Sequence, residues 1–243
     1  MDLPLAADLR TQPWPFGNLP RPPSPDVVMT GEVKMKGWIG RFLARFGQVT
    51  PVTLAGTASV PRCIALVVGH NAVARGAVRV GDGISEHEWC GDLARRIAAH
   101  APGSYHIIHR VPGTGEIARA YAQVDALGAE ASVELHFNAA ENAAATGTET
   151  LTSGTPASLA LARRLQAAIV DVLGLRDRGL IEIGRDSGRR GAASLWAGRA
   201  PAVLIEPYFG SNRGDCAVVD GRLGELARAI HEACMGWNTG VQA

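Results

Sequence analysis

Residues 131–140, ASVELHFNAA, decide the predicted fold. The apolar run Val133–Phe137 contains a single histidine, His136, and Asn138 follows it. A short run of apolar and β-favouring residues is typical of a buried central strand. In open α/β sheets, ligands bind at the carboxyl ends of the strands. His136 is therefore a candidate site residue, although a lone histidine on a strand more often belongs to the core.

Two other apolar runs also end in a polar residue. Residues 64–68, IALVV, lead into Gly69 and His70, and residues 201–206, PAVLIE, end in Glu206. Burying such polar side chains costs free energy unless each one is paired or bound to a ligand. Three of them at the same end of one sheet predict a functional site there.

The rest of the main domain alternates between helix and strand patterns. Apolar spacing and capping signals predict helices over residues 86–100, 116–127, 156–173 and 222–235. Further strands are predicted at residues 105–108 and, as an edge strand, at 148–151, whereas the Gly- and Arg-rich residues 176–197 are interpreted as a loop. This alternation is typical of an α/β fold. We predict a three-layer domain with a mostly parallel central sheet flanked by helices.

The first 62 residues differ from the rest. Seven of the fourteen prolines lie in residues 1–25, so residues 1–62 are predicted to form an irregular Pro-rich arm that ends in a linker. Within the arm, Met35–Phe46 places its apolar residues on one face of a short amphipathic helix. This helix either contacts an anionic membrane surface or a partner, or docks on the main domain. We favour docking, because Gly37 and Gly40 weaken a free-standing helix.

Composition excludes several classes of protein. A net charge of +1 over 243 residues gives no reason to expect nucleic acid as a partner. The four cysteines lie far apart with no CxxC pair, which argues against a structural zinc knuckle and predicts reduced, mostly buried thiols.

No apolar stretch reaches the roughly 18 residues of a membrane span. No basic start followed by an apolar run is present, so no signal peptide is predicted.

The two strand-end histidines fit a catalytic zinc site. Such a site takes three protein ligands and keeps one position for water. His70 and His136 would supply two nitrogens, and a carboxylate from a nearby element would complete the set. Glu86, at the amino end of the helix after His70, is the candidate, and Glu88 is its rival. Two residues apart on a helix, their side chains are rotated by about 200° about the helix axis, so only one of them can point inward.

The same residues resemble the zinc-dependent N-acetylmuramoyl-L-alanine amidases of the type 3 family, found among bacterial wall hydrolases and phage endolysins. Six motifs follow in the family's order: Gly69-His70, Glu86, His136-Phe137-Asn138-Ala139, Gly147-Thr148-Glu149, Arg178-Gly179, and Pro201, Ala202, Leu204, Glu206, Phe209, Ser211 and Asn212. They extend from about Ile64 to the C-terminus. One departure concerns the site: Glu134 replaces the family's usual serine. Glu134 either lies near the metal and tunes it, or points outward into solvent.

The resemblance implies a peptidoglycan hydrolase that cleaves the amide bond between N-acetylmuramic acid and L-alanine. It implies one Zn²⁺ per chain, held by three ligands, His70, Glu86 and His136, with Glu206 as the catalytic carboxylate. Residues 63–243 would form the catalytic domain. Asn138 is a candidate substrate-binding residue, or else a turn residue at the strand end. The loop arginines either meet a peptide carboxylate or, as we favour, are solvated: Arg178, Arg185, Arg189 and Arg190.

Two alternative functions stay open. The same chemistry would suit a zinc peptidase that acts on stem peptides of the wall. The same fold would suit a non-catalytic wall-binding or phage structural module, although the presence of all four site residues argues against it. Peptidoglycan lies outside the cytoplasmic membrane. Without a predicted signal peptide, we expect cytoplasmic synthesis and release at lysis, as for an endolysin, with action in the periplasm or cell wall.

Overall fold

The structure, a computed structural model, describes residues 62–237. Its strands are β1 (Ile64–Asn71), β2 (Tyr105–Arg110), β3 (Ala131–Leu135), β4 (Thr148–Thr152), β5 (Asp177–Glu182) and β6 (Ala202–Glu206). Its helices are α1 (Glu86–Ala99), α2 (Glu116–Ala126), α3 (Pro156–Leu173), α4 (Ala192–Trp196) and α5 (Arg213–Met235). The predicted Pro-rich arm and the predicted helix Met35–Phe46 lie outside the described residues.

The six strands form one sheet in the order β2-β1-β3-β6-β4-β5. Every neighbouring pair is parallel except β4 and β6, which are antiparallel. The predicted α/β fold with a mostly parallel sheet is therefore confirmed. β3 is a central strand between β1 and β6, and Leu135 pairs with both Val68 and Ile205. The carboxyl ends of these three strands consequently meet at one edge of the sheet.

The central strands β1, β3 and β6 are buried on both faces, as expected for parallel strands between two helix layers. Along β1, Ile64, Leu66 and Val68 join one apolar cluster, which α1, α3 and α5 also supply. The alternate residues Ala65 and Val67 join a second cluster with α2 and α4. This alternation follows from the two-residue period of a strand. It explains why IALVV is apolar throughout rather than at every second position.

Three sequence predictions about elements are wrong. β4 is not an edge strand, because β5 lies outside it. Its polar residues are buried and bonded instead: Thr148 donates to the Pro207 carbonyl and Thr150 donates to Gln166. Residues 176–197, interpreted as a loop, contain β5 and α4. The last helix begins at Arg213 rather than Arg222, and Arg222 instead marks a kink inside it.

The four cysteines are free, and three of them are buried, as predicted. Among residues 62–237, no helix combines the length and the hydrophobicity that crossing a bilayer requires. The predicted release at lysis stays a prediction.

Candidate functional site

His70, Glu86 and His136 converge at the carboxyl edge of the sheet. Each offers one ligand atom, and the three atoms lie within 4.8 Å of one another. His70 Nε2 is 3.1 Å from Glu86 Oε2, and His136 Nδ1 is 2.6 Å from Glu86 Oε1. One carboxylate thus bridges both imidazoles. The arrangement brings together three predicted site residues that are as much as 66 positions apart in the chain.

The backbone of His70 has an unusual conformation. Its φ is +62°, the only positive φ outside glycine among the described residues. The register of β1 against β2 also shifts between Val68 and Asn71, so the strand is irregular around this histidine. Such strained positions concentrate at functional sites, where surrounding contacts maintain them. Here the strained backbone belongs to His70, one of the two histidines whose imidazoles face Glu86.

Glu86, rather than Glu88, faces the histidines. Glu86 is 4% exposed and accepts hydrogen bonds from the backbone N–H groups of Ala77 and Phe137. Burial opposes its ionisation, but hydrogen bonds from His136 and His70 outweigh burial and lower the pKa of Glu86 to about 2. The Glu86 side chain is therefore ionised, as a metal ligand must be.

Glu88 has a different role at the start of α1. It forms a capping box with Ser85, the N-cap residue, and its carboxylate pairs with Arg75 at the surface. The helix start is thereby fixed by one glutamate while the other points inward, as the separation of about 200° requires.

His136 lies directly after β3, between two carboxylates. Its Nδ1 faces Glu86, and its Nε2 is 2.9 Å from Glu134 Oε1. Burial disfavours the charged ring, but Glu134 and Glu86 outweigh burial and raise the pKa of His136 to about 9. Glu134 is fully buried, so the alternative in which it points into solvent is wrong.

Glu206 ends β6 on the same edge. Its strand neighbour Ile205 pairs with Leu135, and the Ile205 carbonyl accepts a hydrogen bond from the His136 N–H. Burial raises the pKa of Glu206 to about 7, and the nearby carboxylates of Glu86 and Glu149 add to the increase. A carboxyl group with such a pKa can both accept and donate a proton near neutrality.

A cavity of about 620 Å³ contains the whole cluster. It is lined by His70, Glu86, His136 and Glu206 together with Arg110, Glu134, Asn138, Arg189, Arg190 and Ser194. A space of this size accommodates a substantial part of a small ligand or of an extended polymer. The four predicted site residues therefore share one cavity.

The other predicted residues divide between the cavity and the surrounding surface. Asn138 lines the cavity, but its amide nitrogen donates to Glu149, 2.7 Å away. Its contact with substrate stays a prediction. Among the loop arginines, Arg189 and Arg190 line the cavity, so one wall carries positive charge. By contrast, Arg178 pairs with Glu149, and Arg185 stacks on the ring of Trp196.

Arg110 is a site residue that the sequence analysis missed. It ends β2, beside β1, and its guanidinium contacts Glu134 and lies 3.2 Å from His136 Nε2. The strand-end argument that singled out His70, His136 and Glu206 applies equally to Arg110. The available signal was therefore a charged residue at the end of the predicted strand at 105–108.

The chain matches the family model Amidase_3, N-acetylmuramoyl-L-alanine amidase, over residues 64–234. No curated protein matches the chain significantly. Among solved structures, the catalytic domain of the amidase CwlV from Bacillus (Paenibacillus) polymyxa var. colistinus is 21% identical, with a TM-score of 0.62 over 72% of this chain and 96% of that chain.

Two further structures are similar. The catalytic domain of CD27L, an endolysin targeting Clostridia difficile, is 22% identical with a TM-score of 0.61, over 73% of this chain and 98% of that chain. The amidase AmiC2 of Nostoc punctiforme is 20% identical with a TM-score of 0.60, over 73% of this chain and 97% of that chain. These likenesses establish a shared fold. Because the family model spans most of the 243 residues, the chain belongs to the N-acetylmuramoyl-L-alanine amidases, which hydrolyse peptidoglycan.

Proposed function

We propose that the protein is a zinc-dependent amidase with one Zn²⁺ per chain. His70, Glu86 and His136 would hold the ion, and Glu206 would be the catalytic acid and base. The proposal is carried by one observation: three ligand atoms within 4.8 Å of one another share a cavity with a carboxyl group of raised pKa.

The donor set fits zinc. Two imidazole nitrogens and one carboxylate are a known combination in catalytic zinc sites, which leave a further position for water or substrate. His70 is about one-third exposed toward the cavity, which keeps one side of the cluster accessible. Glu86 is already ionised and needs no proton removed before it binds a cation.

The chemistry follows from these positions. Zinc bound here would activate a water molecule and polarise the carbonyl of the scissile amide. Glu206 would take the proton released by the attacking water and deliver it to the nitrogen of the departing L-alanine. The C–N bond then breaks, leaving a carboxylate on the lactyl group and an amine on the peptide. Arg189 and Arg190 would place positive charge where the acidic peptide enters the cavity.

Removal of the metal tests the proposal. We expect a tight chelator to abolish release of peptide from purified peptidoglycan, and stoichiometric Zn²⁺ to restore it. The products should be peptides with a free amine on L-alanine and glycan strands with unsubstituted lactyl groups. Cleavage elsewhere in the stem peptide would instead support a peptidase. Activity that survives chelation would refute the zinc mechanism, and a loaded protein without activity would support a non-catalytic module.

Gly76 provides a second test because it lies against the proposed ligands. Its φ is +79°, and a Cβ there would lie 2.5 Å from His70 Cδ2 and 2.6 Å from Glu86 Oε2. Both contacts are with the outer ends of side chains, which must shift to make room, so we expect Gly76→Ala to fold but to lose about 10–100-fold in zinc affinity, the range typical of disturbed ligand orientation.

Gly83→Ala is the matched control for this substitution. Gly83 has a similar φ of +75° but no atom within 4 Å of a Cβ. It should therefore carry the same backbone cost of about 1 kcal/mol without affecting the metal. Equal zinc affinities of the two variants, measured by competition with a chromophoric chelator, would contradict the assignment of His70 and Glu86 as ligands.

A further inference from the structure

Glu134 is a buried carboxylate on the far side of His136 from Glu86. It has no exposed surface, and its Oε1 lies 2.9 Å from His136 Nε2. The opposite ring nitrogen, Nδ1, lies 2.6 Å from Glu86. The two nitrogens of one imidazole therefore face two different carboxylates.

The two ring nitrogens must have different roles if His136 binds a metal. A neutral imidazole has one nitrogen with a lone pair and one N–H group. Metal-bound histidines usually donate this N–H to a carboxylate or a carbonyl, which fixes the tautomer and the ring orientation. Nδ1 faces the proposed ligand Glu86, so Nε2–H is left to donate to Glu134.

We propose that Glu134 is a positioning residue of the metal centre, whose carboxylate accepts the Nε2–H of His136 and so presents Nδ1 to the ion. This inference rests on the zinc site of the proposed function. It also assigns a role to the residue that departs from the serine usual in the family.

Glu134 is itself held in place by two buried side chains. The Tyr121 hydroxyl donates to Glu134 Oε2 over 2.8 Å, and the Arg110 guanidinium donates to Oε1. Both partners are at most 8% exposed. The carboxylate therefore cannot turn away from His136 without breaking both contacts.

Arg110 makes the role of Glu134 more specific. Its Nη2 lies 3.2 Å from His136 Nε2, and a guanidinium can only donate hydrogen bonds. Alone, Arg110 would favour the tautomer with the proton on Nδ1, which cannot bind a metal through that atom. The Glu134 carboxylate reverses this preference and offsets a positive charge that would otherwise stand next to the ion.

A purely structural role for Glu134 makes different predictions. If Glu134 only neutralised the buried Arg110, its loss would destabilise the fold but would not alter which nitrogen of His136 carries the proton. A purely structural role therefore predicts that a folded Glu134 variant keeps the zinc affinity of the wild type, whereas a positioning role predicts weaker zinc binding.

The first experiment uses the full chain with ¹⁵N-labelled histidine and bound Zn²⁺. Long-range ¹H–¹⁵N spectra should show His136 with its proton on Nε2 and the metal on Nδ1. The opposite assignment would overturn the inference while leaving the zinc site intact. Failure of the wild type to bind Zn²⁺ at all would instead refute the proposed function.

The second experiment compares Glu134→Gln with Glu149→Gln. Glu149 is the matched control, because it is also buried and also pairs with an arginine, but contacts no proposed ligand. We expect Glu134→Gln to weaken Zn²⁺ binding by about 10–100-fold, measured by chelator competition, and Glu149→Gln to leave it unchanged. Equal affinities in folded variants would overturn the inference. If Glu134→Gln does not fold, the wild-type spectra still test the inference, because a proton on Nδ1 of His136 would overturn it.

Discussion

Replacing His136 by alanine should reduce amidase activity to the level of the chelated wild-type enzyme. The substitution removes one of three proposed ligands and leaves two carboxylates, Glu86 and Glu134, facing an empty space. The measurements are zinc content after dialysis and the release of peptide from purified peptidoglycan. Added Zn²⁺ should not restore activity, in contrast to the chelated wild type.

The same substitution should also lower stability in the metal-free protein. His136 separates two buried carboxylates, and removing one partner of a buried ion pair typically costs about 3–5 kcal/mol. We therefore expect His136→Ala to unfold at a lower temperature than the metal-free wild type. His106→Ala is the control, because His106 is an exposed residue of β2 outside the site. Undiminished zinc content and activity in His136→Ala would exclude His136 as a ligand.

The predictable parts of the fold were those with a local signal. β1, β3 and β6 are apolar runs with polar ends, and α1 and α3 carry a capping box and an N-terminal proline respectively. Their hydrophobic pattern depends only on burial of the segment itself. The convergence of three strand ends then followed from the parallel pairing of β1, β3 and β6, which places their carboxyl ends at the same edge of the sheet.

The elements that were mispredicted depend on distant partners. β4 has the composition of an exposed strand, yet Gln166 of α3 bonds Thr150 and also donates to the Thr148 carbonyl. β5 is largely exposed, so it lacks an apolar pattern, and its pairing with β4 defines it. Neither the bonding of β4 to α3 nor the pairing of β5 with β4 can be seen in the sequence of the segment alone.

The same distinction applies to the site. His70, His136 and Glu206 were found because each ends an apolar run. The burial of Glu134 could not be decided from the sequence, because it depends on Arg110 of β2 and Tyr121 of α2, which are distant from β3 along the chain. The choice of Glu86 over Glu88 needed the position of the helix axis, which the capping box with Ser85 fixes.

Replacing Glu206 by glutamine should remove turnover without removing the metal. Glutamine has nearly the shape of glutamate but cannot accept the proton of the attacking water. General acid–base catalysis typically contributes about 10²–10⁴-fold, so we expect a decrease of that size in kcat with unchanged zinc content. Glu182→Gln is the control, since Glu182 is an exposed glutamate at the end of β5, which β4 separates from β6. Full activity in Glu206→Gln would exclude Glu206 as the catalytic carboxyl group.

Although Glu206→Gln should lose activity, we expect it to make the metal-free protein more stable at high pH. Burial raises the pKa of Glu206 from 4.5 to about 7, so the folded state binds this proton more tightly than the unfolded state. The resulting stabilisation is present below pH 4.5 and is lost as the pH rises through 7. Glutamine does not ionise, so metal-free Glu206→Gln should match the wild type near pH 4.5 and exceed it at pH 8.

The expected gain at pH 8 is about 1–2 kcal/mol. The full pKa shift corresponds to about 3 kcal/mol, but Glu206 is only half-buried and faces the cavity, so solvent reduces the effect. Thermal unfolding of both chelated proteins at the two pH values measures the difference. A structural carboxylate paired with an arginine would give the reverse result, a destabilised variant at pH 8. An inactive variant that is more stable than the wild type therefore identifies Glu206 as a group retained for chemistry at the expense of stability.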